Sequence, residues 1–163
     1  MSNDIHAPDR SSPTRLPDAV RSTALLQAWS LTMVAFGIAI AAVPWVRIDL
    51  FSWVARGETG LTAGFSDDAR DYLAFNQSLM GALTAGLGLA AFWLARVPIA
   101  RREAWGWHAF TSSIGLWFVI DNLASVATGY PRNVVLNVML VAPAILVLVA
   151  TRPERGREPA PAA

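Results

Sequence analysis

Residues 104–151 read AWGWHAFTSSIGLWFVIDNLASVATGYPRNVVLNVMLVAPAILVLVAT, and this stretch decides the fold. It holds two long apolar runs, Ala104–Thr128 and Asn133–Thr151, joined by a link that includes Gly129, Tyr130, Pro131 and Arg132. A helix needs roughly 20 apolar residues to cross the hydrocarbon core of a bilayer, and each run supplies a segment of that length. Pro131 suits a first helical turn, where the N–H it lacks has no intrahelical partner anyway. A link this short makes the two spans an antiparallel hairpin.

Towards the N-terminus two further runs contain no charged residue: Tyr72–Ala95, between Asp71 and Arg96, and Ser22–Val46, between Arg21 and Arg47. Four such runs cannot all be central helices of a soluble core in a chain of 163 residues, 54% of them hydrophobic. The fold class expected is therefore all-α, an integral membrane four-helix bundle. Its spans fall at 22–46, 72–95, 104–128 and 133–151, within one domain covering 22–151. Segments 1–21 and 152–163 lack apolar periodicity and read as disordered tails. Ala39-Ile40-Ala41 has the form of a signal-peptide cleavage site, but the apolar run is too long and the leader before it too extended, so span one is read as an uncleaved anchor.

Charge sets the orientation. Arg10, Arg15, Arg21, Arg96, Arg101, Arg102, Arg152, Arg155 and Arg157 fall on one side of this topology, and Arg47, Arg56, Arg70 and Arg132 on the other. Cytoplasmic loops carry the arginine excess, which places both termini in the cytoplasm and the chain, as a multi-pass protein, in the plasma (cytoplasmic or inner) membrane. With a net charge of +1 and no dense basic run, nothing points to nucleic acid. The absence of Cys excludes disulfides, thiolate metal ligands and a thiol nucleophile.

Between spans one and two lies the one sizeable extramembrane piece, Trp45–Arg70. Its first part, 45–56, fits a helical stripe at Val46, Leu50, Trp53 and Val54, yet Val46, Ile48 and Leu50 also alternate as a strand would. Trp45 and Trp53 favour the headgroup zone, so a short interfacial helix is preferred. Gly57, Gly60 and Gly64 break it, and Ser66-Asp67-Asp68 provides a helix cap and acidic first turn for span two. Asp67, Asp68 and Asp71 are read in that capping role in preference to a cation site. Small residues spaced by four mark helix contacts: Ala82, Gly86 and Ala90 on one line of span two, Gly81 and Ala85 on the next, Gly37 and Ala41 in span one. Trp93, Trp105 and Trp107 read as a belt at the inner boundary.

Polar side chains inside the spans carry the functional question, because an ionisable group there is costly and faces the bundle interior or water. Asp121 is the one acid within a span. At roughly 1.5 Å per residue it lies about 10 Å from the outer end of span three, and Asn76 and Asn137 lie about 6 Å from the outer ends of theirs. Asn122, Asn133 and Gln77 are close in depth, and Ser113, Trp117, Asp121 and Ser125 follow one face of span three. The candidate site is thus a polar cluster of Asp121, Asn76, Asn137, Asn122, Asn133 and Trp117. One reading makes it packing glue between helices; the other makes it a pocket, open to the outside, in which Asp121 takes up a proton. His108 lies near the opposite end and reads as a boundary residue. No metal or cofactor is implied, since the second histidine, His6, sits in the tail.

The run Trp117-Phe118-Val119-Ile120-Asp121, then Ser125, Gly129 and Asn133-Val134-Val135-Leu136-Asn137, resembles the C-terminal hairpin of small bacterial four-span membrane proteins of the BphX-like kind. The likeness covers about twenty residues, and spans one and two share its outline through the Asp71-Tyr72 start of span two. It implies a four-helix membrane fold and prominence for Asp121, Asn133 and Asn137, and no particular activity. H-E-x-x-H, G-x-S-x-G, P-loop and dinucleotide-binding motifs are absent from the sequence. The function expected is that of a non-catalytic membrane component or accessory subunit, in contact with the lipid bilayer and in a homo-oligomer or membrane complex. A transporter of a small solute, ion or proton using Asp121 is the alternative, and a membrane-embedded enzyme the third reading. The topology predicts that the chain stays in the membrane pellet through alkaline carbonate, and that a phosphatase fused to its C-terminus is inactive in cells. Release into the soluble fraction, or phosphatase activity, contradicts it.

Overall fold

Residues 15–152 are described by the structure, a computed structural model. Helix α1 (Arg15–Ala42) ends where Pro44 cannot donate a backbone hydrogen bond. The path stays helical beyond it, through a π-type turn (Val46–Leu50) into α2 (Phe51–Arg56), so the interfacial segment is helix and not strand. Gly57 closes α2 at φ 81°, with its N–H on the Trp53 carbonyl at 2.7 Å, a left-handed conformation that glycine adopts without steric cost. Helix α3 (Asp67–Leu94) begins as its sequence indicates: the Ser66 side chain accepts the Ala69 N–H at 3.3 Å, and Asp67 and Asp68 occupy the first turn. A second π-type turn (Ala95–Ile99) carries α3 on through Pro98. Helices α4 (Ala104–Ala127) and α5 (Pro131–Ala150) follow, with Gly129 at φ 81° in the link between them.

Among the described residues four segments are long and apolar enough to cross a membrane: Arg21–Ala42, Asp67–Ile99, Ala104–Ala127 and Pro131–Ala150. The helices do not stop where the uncharged runs stop. Residues 15–21, read from the sequence as tail, form the first turns of α1, and span two runs on to Ile99. Charges mark where apolar character stops; helical hydrogen bonding continues past them because each added residue extends an existing helix without the cost of nucleation. The rest of the two tails, 1–14 and 153–163, lies outside the described residues.

The helices pair as two hairpins, α1 with α3 and α4 with α5, the former being the most extensive contact in the bundle. It is made by glycine. A Cβ on Gly37 would lie 2.5 Å from the Gly81 carbonyl, and one on Gly81 would lie 2.6 Å from that of Gly37, so the two backbones touch reciprocally. Gly88 meets Ser30 and Val34 of α1 in the same way, 2.9 Å from each backbone. Of the two lines of small residues in span two, Gly81 and Ala85 therefore face α1. Ala82, Gly86 and Ala90 face away, and Gly86 has open space around it.

The hairpins join over an apolar core at the end of the bundle far from α2. Leu26, Phe110, Ile114, Val141, Ala144 and Leu148 are buried there with Ala91, Ala95 and Ile99. Two indoles cross-link it: Trp29 Nε1 donates to the Leu140 carbonyl at 2.6 Å and Trp107 Nε1 to that of Leu148 at 2.9 Å. Outside this core the long helices present large apolar side chains, Leu83, Leu123 and Leu146 among them, each at least 66% exposed. A soluble protein rarely shows such faces, and lipid is the solvent that accepts them. Trp45 and Trp53 at one end and Trp93 and Trp105 at the other are exposed, while Trp107 is drawn into the core.

Gly81→Leu should destabilise the purified protein by about 1–3 kcal/mol, the usual effect of overpacking, whereas Gly86→Leu should leave thermal unfolding in detergent unchanged or raise its midpoint. Equal losses at both positions would mean that the Gly37–Gly81 approach does not hold the first hairpin.

Candidate functional site

Asp121, Asn122 and Ser125 lie at the end of α4 nearest the link, and Asn133 and Asn137 stand one turn apart at the start of α5. The short link brings the two sets face to face. Asn133 Nδ2 donates to Asp121 Oδ2 at 2.9 Å and to Ser125 Oγ at 2.8 Å. Asn137 Nδ2 makes a short hydrogen bond to the same carboxylate oxygen and a second bond to Asn122 Oδ1 at 3.1 Å. A carboxylate only accepts, so both amides turn their nitrogens towards it. Ser125 Oγ donates in turn to the Asp121 carbonyl at 2.6 Å, and Asn122 Nδ2 donates to the Phe118 carbonyl at 2.6 Å. Both α5 amides thus spend both of their N–H groups on α4. Asn137 is 3% exposed, so its bonds are made out of reach of water.

Two expected members stand elsewhere. Asn76 donates to the Tyr72 carbonyl one turn back on its own helix, at 2.9 Å, and shares no hydrogen bond with Asp121. Depth alone had grouped it with the cluster; its direction around α3 separates it. Trp117 lies one turn from Asp121 on α4 and packs against the apolar core. His108 is exposed, stacked edge-on with Trp107. Asp67 is almost fully exposed and pairs with Arg70 at 3.6 Å. Among the described residues no three His, Asp or Glu side chains gather as metal ligands.

The cluster opens on a cavity of about 460 Å³, bounded by α2 and the turn before it, the 61–65 loop, the start of α3 and the α4–α5 hairpin. Asp121, Ser125 and Asn133 face it from the hairpin, and Gln77, the neighbour of Asn76, faces it from α3. Its Asp121 contribution is specific: Oδ2 is occupied by the two asparagines, while among the described residues Oδ1 has no hydrogen-bond partner. Arg47 lines the same cavity, with Nη1 on Ser78 Oγ at 3.0 Å and at 3.5 Å from the Ala41 carbonyl. Apolar walls come from Ile48, Phe51, Val54, Leu61, Phe65 and Leu73.

The covering segment is fastened at several points. The Arg56 guanidinium lies over the Tyr130 ring, 5.2 Å from its centroid, a cation–π contact. The Arg132 guanidinium packs on Gly57, where a Cβ would collide with it. Arg70 donates to the Thr62 and Ala63 carbonyls at 3.0 and 2.8 Å, holding the loop to the start of α3. In the sequence Arg47, Arg56, Arg70 and Arg132 stand out only as flanking charge. Their contacts join residues up to 75 apart in the chain, and spacing along the sequence carries no sign of them.

Comparison with protein-family models, with curated proteins and with solved structures returned no match. The cluster itself generates a test. Asn137→Leu removes one of the two donors to Asp121 Oδ2 and leaves Asn122 Oδ1 without its partner, and should lower stability in detergent by about 2 kcal/mol. Asn76→Leu, outside the network, should change it by less than about 0.5 kcal/mol. Similar losses from both variants would show that the network does not hold the hairpin.

Proposed function

We propose that this chain is a non-catalytic component of the cytoplasmic membrane that holds a small ligand in the cavity beside Asp121. The observation that carries this reading is that Asp121, within a membrane-spanning helix and with one carboxylate oxygen free of partners among the described residues, lines a cavity of about 460 Å³, within the size range of small-molecule sites. With both termini in the cytoplasm, as the arginine distribution favours, the cavity lies on the outer side of the membrane.

The hydroxyl chemistry around the cavity supports binding over catalysis. Ser52 Oγ donates to the Ile48 carbonyl at 2.7 Å and Ser125 Oγ to that of Asp121 at 2.6 Å. A serine engaged with a carbonyl has no general base to activate it. Packing supports binding over permeation. Past the polar layer the buried apolar core fills the bundle, and the next cavity, between α3 and α4, measures about 30 Å³. A space of that size holds about one water, too little for a solute.

Native mass spectrometry of the protein extracted in mild detergent should detect a bound small molecule or lipid. Ala124→Phe, which fills the cavity from the α4 wall, should abolish that adduct with little change in thermal stability. An adduct that survives Ala124→Phe places the ligand elsewhere, and transport of a solute by reconstituted vesicles would replace this reading with permeation.

A further inference from the structure

The two charges that face the cavity indicate what the ligand carries. Arg47 uses Nη1 on Ser78 and on the Ala41 carbonyl; its Nε is buried with no partner, and among the described residues it forms no ion pair. Asp121 likewise forms no ion pair, and its Oδ1 has no donor. A charge drawn partly out of water without a counter-charge is costly. Here one cavity keeps two, of opposite sign, unpaired with each other, and Phe51, Leu61, Phe65 and Leu73 supply an apolar wall.

An anion alone would compensate Arg47 and bring a second negative charge to Asp121; a cation alone would do the reverse. We infer that the cavity takes a zwitterion with an apolar body, its ammonium on Asp121 Oδ1 and its oxyanion on the Arg47 guanidinium. This rests on the cavity being a binding site. A phospholipid with an ethanolamine headgroup and a free amino acid with an apolar side chain both present these groups, and the test separates them.

Binding to the full-length protein in dodecyl maltoside is to be measured with dihexanoyl phosphatidylethanolamine, L-leucine, the singly negative dihexanoyl phosphatidylglycerol and the singly positive isoamylamine. At least one zwitterion should bind about tenfold or more tighter than the singly charged analogue of its own kind, the ratio that one charged hydrogen bond supplies. Tight binding of the lipid alone identifies a headgroup site, and of leucine alone a solute site; both results support the proposal. Arg47→Gln should weaken the zwitterion and phosphatidylglycerol and spare isoamylamine, and Asp121→Asn should weaken the zwitterion and isoamylamine and spare phosphatidylglycerol. The comparison among probes uses the wild-type protein, so it stands even where a variant misfolds. Singly charged probes that bind as tightly as the zwitterions overturn the proposal while leaving the cavity as a binding site. Binding of none of the four overturns both.

Discussion

A bilayer offers a buried N–H or C=O no water to bond, and every feature of this chain answers to that constraint. The described residues meet it with helices, including two places where the chain would otherwise break. Past Pro44 and around Pro98 the path remains helical in widened turns. Inside α5, Pro143 cannot donate to the Met139 carbonyl one turn back, and the Leu140 carbonyl beside it takes the Trp29 indole N–H. Once backbone groups are satisfied within helices, little remains to drive helices together except close fit and side-chain hydrogen bonds. The first hairpin uses fit, through Gly37 and Gly81; the second uses hydrogen bonds, through Asp121, Asn133 and Asn137.

These two solutions divide the molecule by character. Backbone contact leaves the α1–α3 interface without room for a ligand. Polar contact between α4 and α5 satisfies one oxygen of Asp121 and leaves the other without a partner among the described residues. Holding a hairpin and presenting a carboxylate are therefore not competing roles of Asp121, because they belong to different oxygens. The readings of this cluster as packing glue or as a pocket describe its two sides.

The spans were legible in the sequence because a charge in hydrocarbon is expensive enough to bound each one, and Pro131, Gly57 and Ser66 marked ends through backbone chemistry that acts locally. What remained hidden was angular. Asn76 and Gln77 have nearly the same depth and differ by about 100° around α3, a distinction that depth cannot make. The lines Ala82-Gly86-Ala90 and Gly81-Ala85 are equivalent as patterns, and only the partner helix selects between them. In the polar layer, Asp121, Asn122, Asn133 and Asn137 were legible as a group because a short link forces their helices together. A pocket at Asp121 was one of two expectations there, but its walls were not legible, since they come from four separate stretches of chain.

That the partners of Asp121 come from the next helix, not from the first hairpin, bears on how such a chain enters a membrane. Helices are made in order, and an acid delivered to lipid ahead of its partners would resist insertion. Here the donors follow within 16 residues, so α4 and α5 can enter together with the carboxylate already bonded. The first hairpin contributes no hydrogen bond to that carboxylate. The cavity, by contrast, needs walls from both hairpins and from α2, so it comes into being only at the final docking step, and a half-assembled chain has a stable acid but no site.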